Sequence, residues 1–273
     1  MTPVRPVVLI TGASSGIGRA TAARLHAAGY EVFGTSRQPT SDTLDGFHMV
    51  PLEVTSDDSV AACLGEVRRR TGDRIDVLIN NVGTGILGAC EESSTEQVRQ
   101  LFDINLFGAI RMTNGVLPLM RERREGRLLF LSSAGGIVSL PFAGYYCATK
   151  HALEAYVEAL RLEIEGQGLS ASLIAPGTVR TLAGDKAITP DRPREPYASA
   201  RERVRAEYVE AIHRGMDPDK VAETILHVLR SARTQPRYVV GWQSWGASWA
   251  KAVFSPSWVE TGVRYLARTA TRH

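Results

Sequence analysis

Along the chain, short apolar runs rich in β-branched residues alternate with longer stretches whose apolar positions recur every three or four residues. That alternation predicts strands of a parallel sheet, each followed by a covering helix, an α/β architecture. Val7 to Thr11 reads as the first strand and runs into Thr11-Gly12-Ala13-Ser14-Ser15-Gly16-Ile17-Gly18. An alanine-rich helix from Arg19 to Ala28 follows and is closed by Gly29. Further strands are expected at Glu31 to Ser36, His48 to Val54, Ile75 to Ile79, Arg127 to Leu131, Ser170 to Ala175 and Arg237 to Gly241. Ser56 should cap a helix running to about Arg70, and Ser94-Thr95-Glu96-Gln97 offers a capping box for a long helix to about Arg123. Helices are also expected from Tyr146 to about Glu165, over Ala198 to Ile212 with an exposed surface, and from Asp217-Pro218 to about Ser231.

The length of 273 residues suits one large domain or two small ones. With 44% apolar and 22% charged residues the composition is that of a soluble globular chain, and a net charge of +3 is too small to signal a nucleic-acid partner. The cluster Arg68-Arg69-Arg70 reads as the solvated end of a helix. Three cysteines, odd in number and unevenly spaced, argue against a disulfide framework and for a reducing cytoplasm. No histidine pair has ligand spacing and CxxC is absent, so no metal is expected. Neither a signal peptide nor a membrane span is expected from the apolar runs.

Chemistry concentrates where the predicted strands end. A glycine turn between strand and helix aims backbone N–H groups at an anion and lets a pyrophosphate approach closely. Ser36 stands where an acidic residue would hold the ribose 2′-hydroxyl of NAD, and Arg37 comes next. That pair favours NADP over NAD, the alternative being that Arg37 is a solvated turn residue. Glu53 and Val54 would lie beside the adenine, and Asn80-Asn81-Val82-Gly83 ends the fourth strand. Its amides could tie neighbouring strands together or form a polar turn, while Gly83 admits the ribose. Asn105 is a poor residue for a helix interior, so it marks either a kink whose freed carbonyl binds water or a solvent-facing position. One of Ser132 and Ser133 should reach the ligand crevice. Tyr146 and Lys150, four residues apart, share a helix face, and a cation beside a phenol favours the phenolate and proton exchange with a substrate oxygen. Residues 178–217 show little strand pattern and suit a substrate lid. The tail, 242–273, carries Trp242, Trp245, Trp249, Phe254 and Trp258, a spacing expected of core or subunit contact more than of a ligand or membrane surface.

With these motifs in place, the sequence resembles the short-chain dehydrogenase/reductase family over nearly its whole length. The matching residues are Thr11 to Gly18, Asn80 to Gly83, Asn105, Ser133, Tyr146 with Lys150, and Pro176-Gly177. The surroundings of Gly135 to Phe142 look like the hydroxysteroid and retinol dehydrogenase branch. The resemblance implies a single-domain, Rossmann-type doubly wound sheet of about seven parallel strands. It implies Tyr146 as general acid or base, Lys150 lowering its pKa and holding the nicotinamide ribose, Ser133 orienting the substrate oxygen and Asn105 holding a relay water. NADP(H) would be held by Gly12, Ser14, Ser15, Gly16, Ile17 and Gly18, by Ser36, Arg37, Glu53 and Val54, and by Asn81, Val82, Gly83, Pro176, Gly177, Val179 and Thr181. Val82 departs from the usual alanine and Glu53 from the usual aspartate. The pocket would be lined by Ile86, Leu87, Ile137, Val138, Leu140, Pro141 and Phe142, which suits a hydrophobic ketone or secondary alcohol of steroid, retinoid or polyketide type. The family's habit implies a homodimer or homotetramer. Two rival readings are a non-catalytic NADP(H) sensor and a nucleotide-dependent epimerase or dehydratase, whose GxxGxxG pattern differs from the one here.

Overall fold

The computed structural model describes residues 5–182 and 187–269. Its strands are β1 (Val7–Ile10), β2 (Glu31–Ser36), β3 (Thr43–Leu44), β4 (Phe47–Pro51), β5 (Val77–Asn80), β6 (Gly126–Leu131), β7 (Leu169–Pro176) and β8 (Arg237–Val240). They form one sheet in the order β3-β4-β2-β1-β5-β6-β7-β8, parallel throughout except for β3. The seven parallel strands give the doubly wound fold, and order reverses between β1 and β5, where such sheets open their ligand crevice. The two-residue strand β3 is an addition to the expected set. Asp45 and Gly46, with φ of 49° and 88°, turn β3 straight back onto β4 as an antiparallel hairpin, and Asp-Gly is the sequence that favours this turn.

Helices α1 (Gly16–Ala27), α2 (Asp57–Thr71), α3 (Thr95–Phe102), α4 (Gly108–Arg123), α5 (Gly144–Glu163), α6 (Ala198–His213), α7 (Pro218–Arg230), α8 (Trp242–Val253) and α9 (Pro256–Thr269) complete the described chain. Successive residues of each strand point to opposite faces, so the nearly all-apolar β6 serves two cores. Leu128 and Phe130 pack with Val116, Met120 and Val157 on one side, while Leu129 and Leu131 pack with Leu25, Ile225 and Val228 on the other. Helices α2, α4 and α5 thus cover one face, and α1 and α7 the other.

Local signals are realised in part. Ser56 accepts the Ser59 N–H at the start of α2, whose final turn carries Arg68, Arg69 and Arg70, and Arg68 and Arg70 pair with Asp73 and Glu66. Ser94 likewise accepts the Gln97 N–H, but the reciprocal half of the capping box is replaced by a distant residue. The Ser94 N–H goes to Asp191 at 2.7 Å, and the Gln97 amide reaches the Thr189 carbonyl at 2.9 Å. The long helix expected to Arg123 is divided by a π turn over Asp103–Phe107, which joins α3 to α4. Among the described residues no helix is long and apolar enough to cross a membrane.

Candidate active site

The carboxyl ends of β1 and β5 meet at the glycine turn. Thr11 Oγ1 accepts the N–H groups of Asn81 and Val82 at 2.9 and 3.1 Å, and the Asn81 amide donates to the carbonyls of Thr11 and Gly12. These bonds fix the loop after β5 against the turn after β1, so the Asn81 side chain is occupied with the protein's own backbone. Gly12 has φ +70°, and a Cβ on Gly18 would sit 2.2 Å from the Gly12 carbonyl oxygen. Only glycine allows helix α1 to enter so close to the turn. Ser15 precedes α1 without a side-chain cap, and no acidic residue stands in the first turn, leaving its N–H groups directed at the crevice. Thr181 closes over Gly16, 3.1 Å from where a Cβ would stand. At the tip of β2 the Ser36 hydroxyl is buried without a hydrogen-bond partner among the described residues. Arg37 beside it is exposed and carries no ion pair among those residues. A glycine cradle and open helix N–H groups fit the pyrophosphate of a nicotinamide dinucleotide.

Farther along the crevice, α5 presents Tyr146, Lys150 and Glu154 at successive four-residue steps. The Tyr146 ring is half-buried between Gly85 and Gly135, whose hypothetical Cβ atoms would lie 3.5 and 3.1 Å from it. Ser133, at the end of β6, is within hydrogen-bonding reach of the Tyr146 hydroxyl. Lys150 is buried, with Nζ 2.7 Å from the Leu131 carbonyl and 5.9 Å from the centre of the Tyr146 ring. A Cβ on Gly83 would be 3.4 Å from this ammonium and 3.5 Å from Asn105 Oδ1. Ser133, Tyr146, Lys150, Asn105 and Gly83 therefore surround one space.

The electrostatics differ from the expected pairing. Burial raises the Tyr146 pKa above the ordinary phenol value, with the Ser133 hydrogen bond opposing it. Burial draws Lys150 down to about 8, against the attraction of Glu154. Each group is thus biased toward its neutral form, because the ammonium is turned to the Leu131 carbonyl and desolvation dominates both.

Asn105 lies in the π turn, almost fully buried. Its Oδ1 accepts the Thr84 N–H at 2.8 Å, and its Nδ2 donates to the Thr84 carbonyl at 2.8 Å and to Thr149 Oγ1 at 3.0 Å. The kink alternative is the one observed and the solvent-facing alternative is excluded. Thr84 and Thr149, which hold this amide, escaped the sequence reading, although Thr149 sits between Tyr146 and Lys150.

The family described as short chain dehydrogenase matches residues 6–192. The chain belongs to the short-chain dehydrogenase/reductase family. Members are oxidoreductases acting on CH–OH and C=O groups, and this chain shares 42% identity with 3-ketodihydrosphingosine reductase of Bacteroides thetaiotaomicron over 175 residues, 64% of each chain. It is 34% identical to retinol dehydrogenase 8 of Bos taurus, covering 83% of this chain and 78% of that one. A short-chain dehydrogenase from Streptomyces avermitilis superposes with a TM-score of 0.83 at 30% identity, covering 99% of both chains.

Other expected site residues contact this chain's own groups. The Glu53 carboxylate folds back onto Thr55, accepting its N–H and hydroxyl at 3.2 and 2.9 Å, while Val54 is buried against Gly108. Val82 leans over Gly12, where a Cβ would come within 2.9 Å of it, so the larger residue is accommodated by the glycine opposite. Beyond Pro176, the Gly177 N–H bonds to the Val240 carbonyl, and Val179 forms a bridge with Met216. Of the expected apolar lining, Ile86, Leu87 and Ile137 are buried, whereas Leu140 and Pro141 are exposed and Val138 and Phe142 half-buried. Ile188, within the 178–217 segment, bridges Ile86, and the Phe142 ring meets Tyr197 edge to face at 6.3 Å. Residues 183–186 of that segment lie outside the described residues.

Two further side chains were missed because their partners are remote in sequence. Glu92 is fully buried, accepts the N–H groups of Ala89 and Arg194, and pairs with Arg201 of α6. Gln243 of α8 approaches Gly177, with Oε1 2.6 Å from where a Cβ would stand. The tail overturns the expectation of core packing: Trp242, Trp245, Trp249, Phe254 and Trp258 are all exposed.

Proposed function

We propose that this protein is an NADP(H)-dependent oxidoreductase interconverting a hydrophobic ketone and its secondary alcohol, with Tyr146 handling the proton. The observation carrying this reading is the convergence of Ser133, Tyr146 and Lys150 beside Gly83, at the open end of the sheet. The nicotinamide, when bound, supplies or accepts the hydride. Tyr146, whose raised pKa keeps its proton at neutral pH, gives that proton to the substrate oxygen in reduction and recovers it in oxidation. Ser133 orients the same oxygen. Lys150, drawn down to about 8, can surrender a proton near neutrality and so recharge Tyr146, while Asn105 and its π turn hold a water on the path to solvent. Lys150 would also hold the nicotinamide ribose, and the turn from Gly12 to Gly18 would hold the pyrophosphate.

The preference for NADP(H) rests on Arg37 and Ser36 at the tip of β2, where a 2′-phosphate would meet an unpaired guanidinium and an unsatisfied hydroxyl. The substrate class is supported by exposed Leu140 beside half-buried Phe142 and by the 3-ketodihydrosphingosine, estradiol and retinol in the names of relatives. The 178–217 segment acts as the lid over this surface, and outer faces of α4 and α5 serve assembly into a homo-oligomer. The test is a screen of NADPH and NADH oxidation against hydrophobic ketones, repeated with Tyr146→Phe. The expected result is turnover with NADPH that falls by about a thousandfold or more in the variant, with NADPH binding retained. Substantial residual turnover would defeat the assignment of Tyr146, and a preference for NADH would defeat that of Arg37.

A further inference from the structure

Helix α8 has its polarity reversed. Trp242, Trp245, Trp249 and Val253, spaced by three and four residues, share one face and are all at least half exposed (79%, 65%, 50% and 57%). The opposite face is polar yet turned inward: Ser244 is fully buried, and Ser244 Oγ, Ser248 Oγ and Gln243 Oε1 have no hydrogen-bond partner among the described residues. Phe254 and Trp258 extend the exposed aromatic surface into α9. A water-facing helix ordinarily turns its apolar stripe toward the core. An aromatic surface this continuous marks something that covers it.

We propose that α8 and the start of α9 dock on an anionic lipid surface, lying in its interface without crossing it. The two helices have 12 and 14 residues, too short to span the hydrocarbon layer. Tryptophan combines a large apolar body with a polar N–H and favours the headgroup boundary. The charge is complementary to such a surface. Residues 242–273 hold Lys251, Arg264, Arg268 and Arg272 against Glu260 alone, a surplus of three equal to the net charge of the whole chain. Lys251 and Arg264 are exposed, Lys251 on the far side of α8 from the tryptophan stripe and Arg264 paired with Glu260 at 2.6 Å, so the attraction is that of the tail's net charge and not of a cation set among the rings. A two-fold contact with a second copy would set this positive surplus against itself, whereas acidic headgroups attract it. A docked tail would also bring the crevice, which α8 adjoins at Gly177, close to a reservoir of apolar molecules.

All four tryptophans of the chain lie in this tail, so intrinsic tryptophan emission reports on it alone. The experiment mixes the full-length protein with vesicles of phosphatidylglycerol and phosphatidylcholine, or of phosphatidylcholine only, and reads emission and co-sedimentation. The expected result is a blue shift and co-sedimentation with the anionic vesicles, weakened by salt. The Lys251→Glu/Arg264→Glu variant and, by sedimentation, Trp245→Ala/Trp249→Ala should each bind about tenfold more weakly, with circular dichroism and turnover unchanged. Failure to bind anionic vesicles, equal binding to both compositions, or a dimer in light scattering that Trp245→Ala/Trp249→Ala dissolves would each overturn the proposal, the last by assigning the surface to a second copy.

Discussion

Replacing Lys150 with methionine tests the electrostatics of the crevice without relying on any substrate. Lys150 is buried, its pKa drawn from 10.5 to about 8 by desolvation, and its one hydrogen-bond partner among the described residues is the Leu131 carbonyl. Because the folded value lies below the unfolded one, the unfolded chain binds more protons between about pH 8 and 10.5, and stability rises with pH across that window. The gain should approach about 3 kcal/mol, each pH unit of separation being worth about 1.4 kcal/mol. Methionine keeps the side chain's bulk, removes the titration, and forfeits a hydrogen bond worth about 1 kcal/mol. At pH 7 the variant should therefore be as stable as the wild type or more stable by about 2 kcal/mol. By pH 10.5 the wild type, having gained its about 3 kcal/mol, should lead. Urea unfolding followed by circular dichroism from pH 7 to 10.5, without nucleotide, measures both curves. Parallel curves, or a wild-type advantage that shrinks as pH rises, would refute the claim that burial controls this ammonium.

Three further substitutions probe separate parts of the structure. Arg37→Glu should raise the KM for NADPH by about tenfold or more while leaving that for NADH within about twofold, as expected if the guanidinium meets a 2′-phosphate; steady-state kinetics with both nucleotides decides. Gly18→Ala places a methyl 2.2 Å from the Gly12 carbonyl, so it should cost about 2 kcal/mol in urea unfolding and abolish nucleotide binding in a fluorescence titration. Glu92→Ala leaves Arg201 and two N–H groups unmatched; it should lower stability by about 3 kcal/mol and expose α6 to limited proteolysis, and an unchanged Tm would contradict a role for Glu92 in holding α6.

What could be read in the sequence was local and periodic. β6 and β7 were legible because buried parallel strands are apolar on both faces, and the turn from Gly12 to Gly18 because its glycines carry their geometry with them. Asn105 was legible as an anomaly: a residue unsuited to a regular helix stands where the helix widens. The Asp45-Gly46 hairpin was missed, since β3 has too few residues to show alternation. Half of the capping box went astray because Asp191 and Thr189 compete for Ser94 and Gln97 from almost a hundred residues away. Glu92 followed by Ser93 and Ser94 resembles a surface loop, and nothing nearby announces Arg201. The Lys150 and Tyr146 pKa directions depend on depth of burial, which spacing along α5 does not encode. The tail defeated pattern reasoning for another reason: its aromatic stripe has the period of a core-facing helix, yet it faces outward.

The wide turn over Asp103–Phe107 works as a phase shifter. One residue fewer there would restore a regular helix and rotate α3 against α4 by about 100°. If α3 kept Leu101 in the core, Arg111 would swing away from Asp57, Asp103 and the Val54 carbonyl; if α4 stayed in place, Asn105 would leave Thr84 and Thr149. The surplus residue lets the two halves be seated independently, so a deletion of that size would misalign the crevice while leaving every side chain named in it present.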